Sequence, residues 1–168
     1  MQGSGFLLVN NLTGSGTGMG PVQVNSGGLA GNGIIGGGVV VGDGSAGAAR
    51  FRPGGNYRSP GVLTIGQALT FNADATYVWL LDTVRAIASS VVTWSVTIDS
   101  AALFSPAELQ SGTLSAGTVF TVINNNGTAA IVGSFSNLPD GSRITVGSNT
   151  YQADYEGGDG NDLTLTVQ

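Results

Sequence analysis

The chain has 168 residues, a net charge of −5 and 29 glycines, with neither cysteine, histidine nor lysine. Those absences exclude Ser-His-Asp and Cys-His nucleophilic catalysis, imidazole or thiolate zinc sites and Schiff-base lysines within one chain. Five arginines against ten acids supply no basic stripe, so nucleic acid and anionic membrane surfaces are not expected partners.

Low charge with many β-branched residues predicts ordered β-structure with tight turns rather than disorder. No apolar run approaches the length that spans a bilayer, so membrane insertion is not expected, and the N-terminal stretch lacks the charged flank of a signal peptide. From Gly5 to Gly66 the chain reads as very short strands punctuated by glycine: "FLLVN", "PVQVN", "GLAGNGIIG", "GVVVG" and "GVLTIG". That glycine density leaves no helix of ordinary length. Laying "PVQVNSGGLAGNGIIGG" over "GVVVGDGSAGAARFRPGG" sets Val22 and Val24 above Val39 and Val41, a repeat of about 17 residues. Strands this short bury no face alone, whereas stacking them coil on coil buries a column of Val, Leu and Ile. The predicted fold is therefore all-β, a parallel β-helix (β-solenoid) of about three coils, with a β-sandwich as the alternative.

After Gln67 the texture changes. "TYVWLL" and "VVTWSVTI" read as strands flanking Leu80 to Ser89, where Leu81, Val84, Arg85 and Ala88 fall at helical spacing and allow a helical turn or two. From Gly112 the strands are "GTVFTVIN", "AAIVGSF", "SRITVG", "TYQADY" and "DLTLTV", with turn signals at "NNNG", "LPDG", "GSN" and "EGGDGN". The organisation is one domain, with short solenoid repeats over residues 1–75 and an irregular β-rich C-terminal cap over residues 76–168.

The pieces "LLVNNLTGSGTGMGPVQVNSGGLAGNGIIGGGVVVGDGSAG", "SPGVLTIGQALTFNADATYVW" and "AGTVFTVINNNGTAAIVGSFSNLPDGSRITVGSNTYQADYEGGDGNDLTLTV", in that order and spacing, resemble autotransporter-associated β-strand repeat proteins over nearly the whole chain. The resemblance implies a right-handed parallel β-helix and an extracellular or surface-displayed structural segment near the end of a longer passenger. The chain departs from the family at Phe51-Arg52-Pro53 and in the strongly apolar stretch from Leu80 to Trp94.

Three groups are candidate sites. The tail run G-G-x-G-x-D matches part of a calcium-binding nonapeptide, and Asp154, Glu156, Asp159 and Asp162 fall close together, so weak calcium binding is one reading. A single copy lacks the second turn such sites use, and Thr164 stands where a large aliphatic residue belongs. The other reading is a glycine-rich turn feeding a terminal strand whose Leu163, Leu165 and Val167 face inward. Arg50 and Arg52 straddle Phe51, which puts both guanidinium groups on one face; with Tyr57 they form a patch for acidic glycans or a neighbouring subunit, or a solvated face. Tyr77, Trp79 and Leu81 alternate with Val78 and Leu80, a strand apolar on both sides, buried in the cap or covered at a subunit interface.

The remaining acids, Asp43, Asp74, Asp82, Asp99, Glu108 and Asp140, form no spaced pair, so no enzymatic activity and no cofactor are expected. The expectation is an extracellular, non-catalytic structural protein. It is a passenger segment or a subunit that self-associates head to tail into a homo-oligomer or polymer, the alternative being a calcium- or acidic-glycan-binding adhesion module that meets cell-surface or matrix glycans.

Overall fold

The computed structural model describes residues 5–45, 47–55 and 59–168. In chain order the strands are β1 (Phe6–Val9), β2 (Val22–Val24), β3 (Gly27–Gly31), β4 (Ile34–Ile35), β5 (Val39–Val41), β6 (Ala49–Pro53), β7 (Val62–Ile65) and β8 (Ala68–Phe71). Longer strands follow: β9 (Ala75–Asp82), β10 (Ile87–Ala88), β11 (Ser90–Thr93), β12 (Ser95–Ile98), β13 (Leu103–Gln110) and β14 (Val119–Asn125). The chain ends in β15 (Arg143–Val146), β16 (Asn149–Gly157) and β17 (Asp162–Val167).

The all-β class holds, with 54% strand and no helix among the described residues, but the right-handed parallel β-helix expected from the sequence does not. The strands form three sheets. The first sheet runs β1-β3-β6-β9, with β13 parallel and β10 antiparallel to β9. The second runs β4-β7-β11-β14 in parallel and continues antiparallel through β17, β16 and β15. Only the third, β2-β5-β8-β12, is parallel throughout. The cause is the turns. Val146 pairs with Asn149 across a two-residue turn with Gly147 at φ +57, and Gly157 pairs with Asp162 across another short connection. Connections that short join strands only in the antiparallel sense.

The helical turn allowed over Leu80 to Ser89 is also absent. Asp82 Oδ1 accepts the N–H of Arg85 at 3.0 Å, and Ala86 adopts φ +53, so the chain reverses there and pairs Ile87 with Asp82. An aspartate bonding ahead to the backbone stabilises a turn at the expense of a helix.

Within the parallel ladders the register is set by inward alternation. Leu7, Leu29, Phe51, Tyr77 and Phe104 lie side by side on successive strands of the first sheet, and all but Leu7 are buried. This column widens from aliphatic to aromatic along the chain. Phe71 and Phe135 close on it from outside that sheet with ring centroids 5.3 Å apart, and Trp79 lies 5.8 Å from Tyr151. Two of the buried rings have their polar atoms satisfied: Tyr77 OH donates to the carbonyl of Val122 at 3.0 Å and Trp79 Nε1 to that of Ser89 at 3.0 Å. The core is one continuous cluster from Val9 to Val167. Where the backbone passes closest, at Gly31, a Cβ would sit 1.9 Å from the carbonyl oxygen of Val9 and φ is +132, so glycine is obligatory.

Candidate functional site

The outer face of the first sheet carries a concavity with a cationic lining. Because side chains alternate along a strand, burying Phe51 on β6 turns Arg50 and Arg52 outward together, as the sequence predicts. The same alternation on β9 turns Thr76, Val78 and Leu80 outward, and on β13 it brings Ser105, Ala107 and Leu109 alongside. With Phe6 these residues line a groove of about 360 Å³.

Arg52 is not a solvated side chain: it is 2% exposed. Its guanidinium carbon lies 5.2 Å from the centroid of the Phe6 ring, a cation–π contact worth about 1 kcal/mol. The ring reaches that position because β3 carries glycine at the facing register position. A Cβ on Gly28 would come 2.1 Å from Cε1 of Phe6. Arg50, next to it, remains exposed. Tyr57, the third member of the expected patch, lies outside the described residues.

Tyr77, Trp79 and Leu81 are fully buried in the core cluster, so of the two readings of that strand they take the internal one, and no surface of theirs is available to a neighbouring subunit. The physical reason is that β9 is flanked by β6 and then β10 along one edge and by β13 along the other, while its inner face meets Phe104, Phe120 and Tyr151.

The acids of the tail do not all line one site: Asp159 lies near Asp162, and Asp154 borders a different depression. Asp162 is 7% exposed and its Oδ1 accepts the backbone N–H of Asn125 at 2.8 Å. Burial raises its pKa, the Asn125 N–H partly offsets that, and the nearby charge of Asp159 adds to it. Asn161 beside it donates to the carbonyl of Gly127 at 2.6 Å, so the pair pins the loop that follows β14. Gly158, at φ +63, is required because a Cβ there would sit 2.1 Å from Asp162 Oδ2. Asp154 and Glu156 are exposed, and Asp154 Oδ1 accepts the N–H of Glu156 at 2.8 Å. Asp154 borders a depression of about 300 Å³ together with Asp140, whereas Asp159 borders a different one of about 420 Å³ with Gly127, Thr128 and Asn161. Among the described residues no group of three or more such side chains is placed to hold a metal ion. The G-G-x-G-x-D run forms the turn between β16 and β17, and Leu163, Leu165 and Val167 behind it are buried as alternation predicts.

The sheets also end unequally. On β13 the N–H of Phe104 donates to Asn137 Oδ1 and its carbonyl accepts from Asn137 Nδ2, both at 2.8 Å. Pro106, two residues on and turned to the same edge, has no N–H to offer. Among the described residues, β1 at the other end has a strand on one side only. Gly5 and Val9 turn their carbonyls to Gly28 and Gly33 of the β3 side, at 3.0 and 2.9 Å. Alternate residues of a parallel strand bond to one neighbour, so Leu8 turns its N–H and C=O to the open edge.

No family model, no curated protein and no solved structure matches this chain. The likeness to autotransporter-associated repeats therefore rests on the sequence pieces that carry it.

Proposed function

We propose that the chain is a non-catalytic structural module of the cell exterior that associates with a second copy through β1. The observation that carries this reading is the inequality of the two ends of the first sheet. The β13 edge is blunted by Asn137 and Pro106, while the β1 edge presents the backbone of Leu8 together with apolar surface: Leu7 is 38% and Leu8 39% exposed. An exposed apolar edge strand is a template for another strand. Beside it, the loop joining β1 to β2 lies along β4, with Gly16 N–H donating to the Ile34 carbonyl at 2.8 Å, and holds out Leu12 and Met19 at 93% and 70% exposure. These add apolar surface to the same end.

The form of association follows from the blunted edge. Head-to-tail stacking would set β1 of one copy on β13 of the next, where Pro106 and the Asn137 side chain stand in the way. Two β1 edges meeting antiparallel about a two-fold axis make a self-complementary contact that closes as a pair. The extracellular placement is supported by the likeness to surface-displayed passengers, and the non-catalytic character by the scattered acids and the missing His, Cys and Lys.

Sedimentation equilibrium across a wide concentration range tests the pairing. The expected result is a reversible monomer–dimer equilibrium, shifted to monomer by at least about tenfold in Leu8→Pro, which removes one outward N–H and leaves the ladder to β3 intact. A chain that stays monomeric at the highest concentration, or a Leu8→Pro protein that pairs as well as the parent, overturns the reading.

A further inference from the structure

The geometry points to a binding site for an aliphatic monocarboxylate in the groove on the outer face of the first sheet. The groove is polarised across the strands. Its cations, Arg50 and Arg52, are both on β6, and its aliphatic lining, Val78, Leu80, Ala107 and Leu109, lies on β9 and β13. Its remaining described lining residues add the Phe6 ring and two hydroxyls, Thr76 and Ser105, and no carboxylate, in a chain whose net charge is −5.

Each cation has a distinct part. Arg50 is exposed and free to move onto a ligand, and its planar fork suits both oxygens of one carboxylate. Arg52 is held by its stacking on Phe6 and is nearly buried, so it supplies a fixed positive charge behind the anion at low local dielectric. From β6 to β13 is two strand spacings, about 10 Å, the span of a medium-length alkyl chain. The volume of about 360 Å³ lies at the small end of the range for ligand pockets.

Acidic glycans, the ligand expected from the arginines alone, fit this lining less well. A sugar chain leaving the arginines would set its hydroxyls against Val78, Leu80, Ala107 and Leu109, which offer no hydrogen bonds. An alkyl chain gains from the same contacts.

Calorimetry and saturation-transfer NMR with decanoate, octanoate, decanol and trigalacturonate test the site on the parent chain and on Arg50→Ala and Val78→Asp. Both variants alter outward-facing side chains away from the core, and their circular dichroism and melting temperature are checked first. The expected result is saturable one-to-one binding of decanoate, about threefold tighter per methylene than octanoate. Decanol and the Arg50→Ala protein should each bind at least about tenfold more weakly, as loss of a charge-assisted bond requires. Val78→Asp should do the same by placing a carboxylate in the aliphatic half. Absence of saturable decanoate binding, equal affinity in both folded variants, or tighter binding of trigalacturonate than of decanoate overturns the proposal, the last in favour of acidic glycans. Sedimentation of the same samples keeps this result separate from the pairing through β1.

Discussion

Asp162 shows how a residue that looks like a ligand serves as a structural tie. Its carboxylate is held by one backbone N–H and pressed against Gly158, an arrangement with room for a hydrogen bond but too shielded to leave the charge well hydrated. The group accordingly binds its proton more tightly in the folded chain than its ordinary 3.8. A carboxylate with a raised folded pKa makes the native state take up protons that the unfolded state releases, so stability falls as pH rises above 3.8 through that window. Asp162→Asn keeps an oxygen for the Asn125 N–H and removes the charge. Relative to the parent, its urea midpoint should rise as pH is taken from below 3.8 to neutrality. A constant difference between the two proteins across that range would mean that the burial of Asp162 has no electrostatic cost.

Among the elements, β13 holds the clearest edge device. Asn137 satisfies both backbone groups of Phe104, and Pro106 has no N–H to donate, so two successive edge-facing positions weaken the foothold of a further strand. Asn137→Ala strips the first of these. It should cost about 1–2 kcal/mol in chemical denaturation, from backbone groups left without partners, and should produce larger species on size-exclusion columns because the β13 edge opens. A destabilised variant that remains the size of the parent would argue that Pro106 alone protects the edge. The same strands show what the sequence makes legible. Val22 over Val39 and Val24 over Val41 is the register found, because the two "V-x-V" segments must each turn the same side chains inward. Likewise "RFR" fixes the faces of Arg50, Phe51 and Arg52. Short strands and glycine corners do not, however, say where parallel pairing gives way. That depends on turns such as Gly147-Ser148, whose length forces a hairpin. Nor does any local pattern reveal that Phe6 will lie over Gly28 and under Arg52, since that contact exists only once β1 and β3 are in register.

For the molecule as a whole the question is whether the parallel ladders and the antiparallel C-terminal strands unfold together. Trp79 of β9 and Tyr151 of β16 meet edge to face, Phe120 contacts both, and Tyr77 OH reaches the Val122 carbonyl, so the two kinds of sheet share their largest side chains. Tyrosine ionisation reads that union directly. Burial raises the pKa of Tyr77 far above its ordinary value. Burial, with the charge of Glu108 adding to it, takes Tyr151 from 10.0 to about 12. Tyr155 is likewise pushed by burial to about 12, against the Phe135 N–H that favours its phenolate and with the charge of Asp140. A phenol with a raised folded pKa stabilises the native state fully below the unfolded value and loses that contribution as pH rises through the folded one, so the chain should unfold in alkali between 10 and about 12. Because Tyr77 lies among the parallel strands and Tyr151 and Tyr155 in the hairpin, a single cooperative unit releases all three at once. Ultraviolet phenolate absorbance from the buried tyrosines should therefore rise in one step that coincides with loss of near-ultraviolet circular dichroism. Two separated steps, with part of the phenolate signal appearing while half of the dichroism persists, would divide the molecule at the junction of β14 and β17 and remove the basis for treating its core as one.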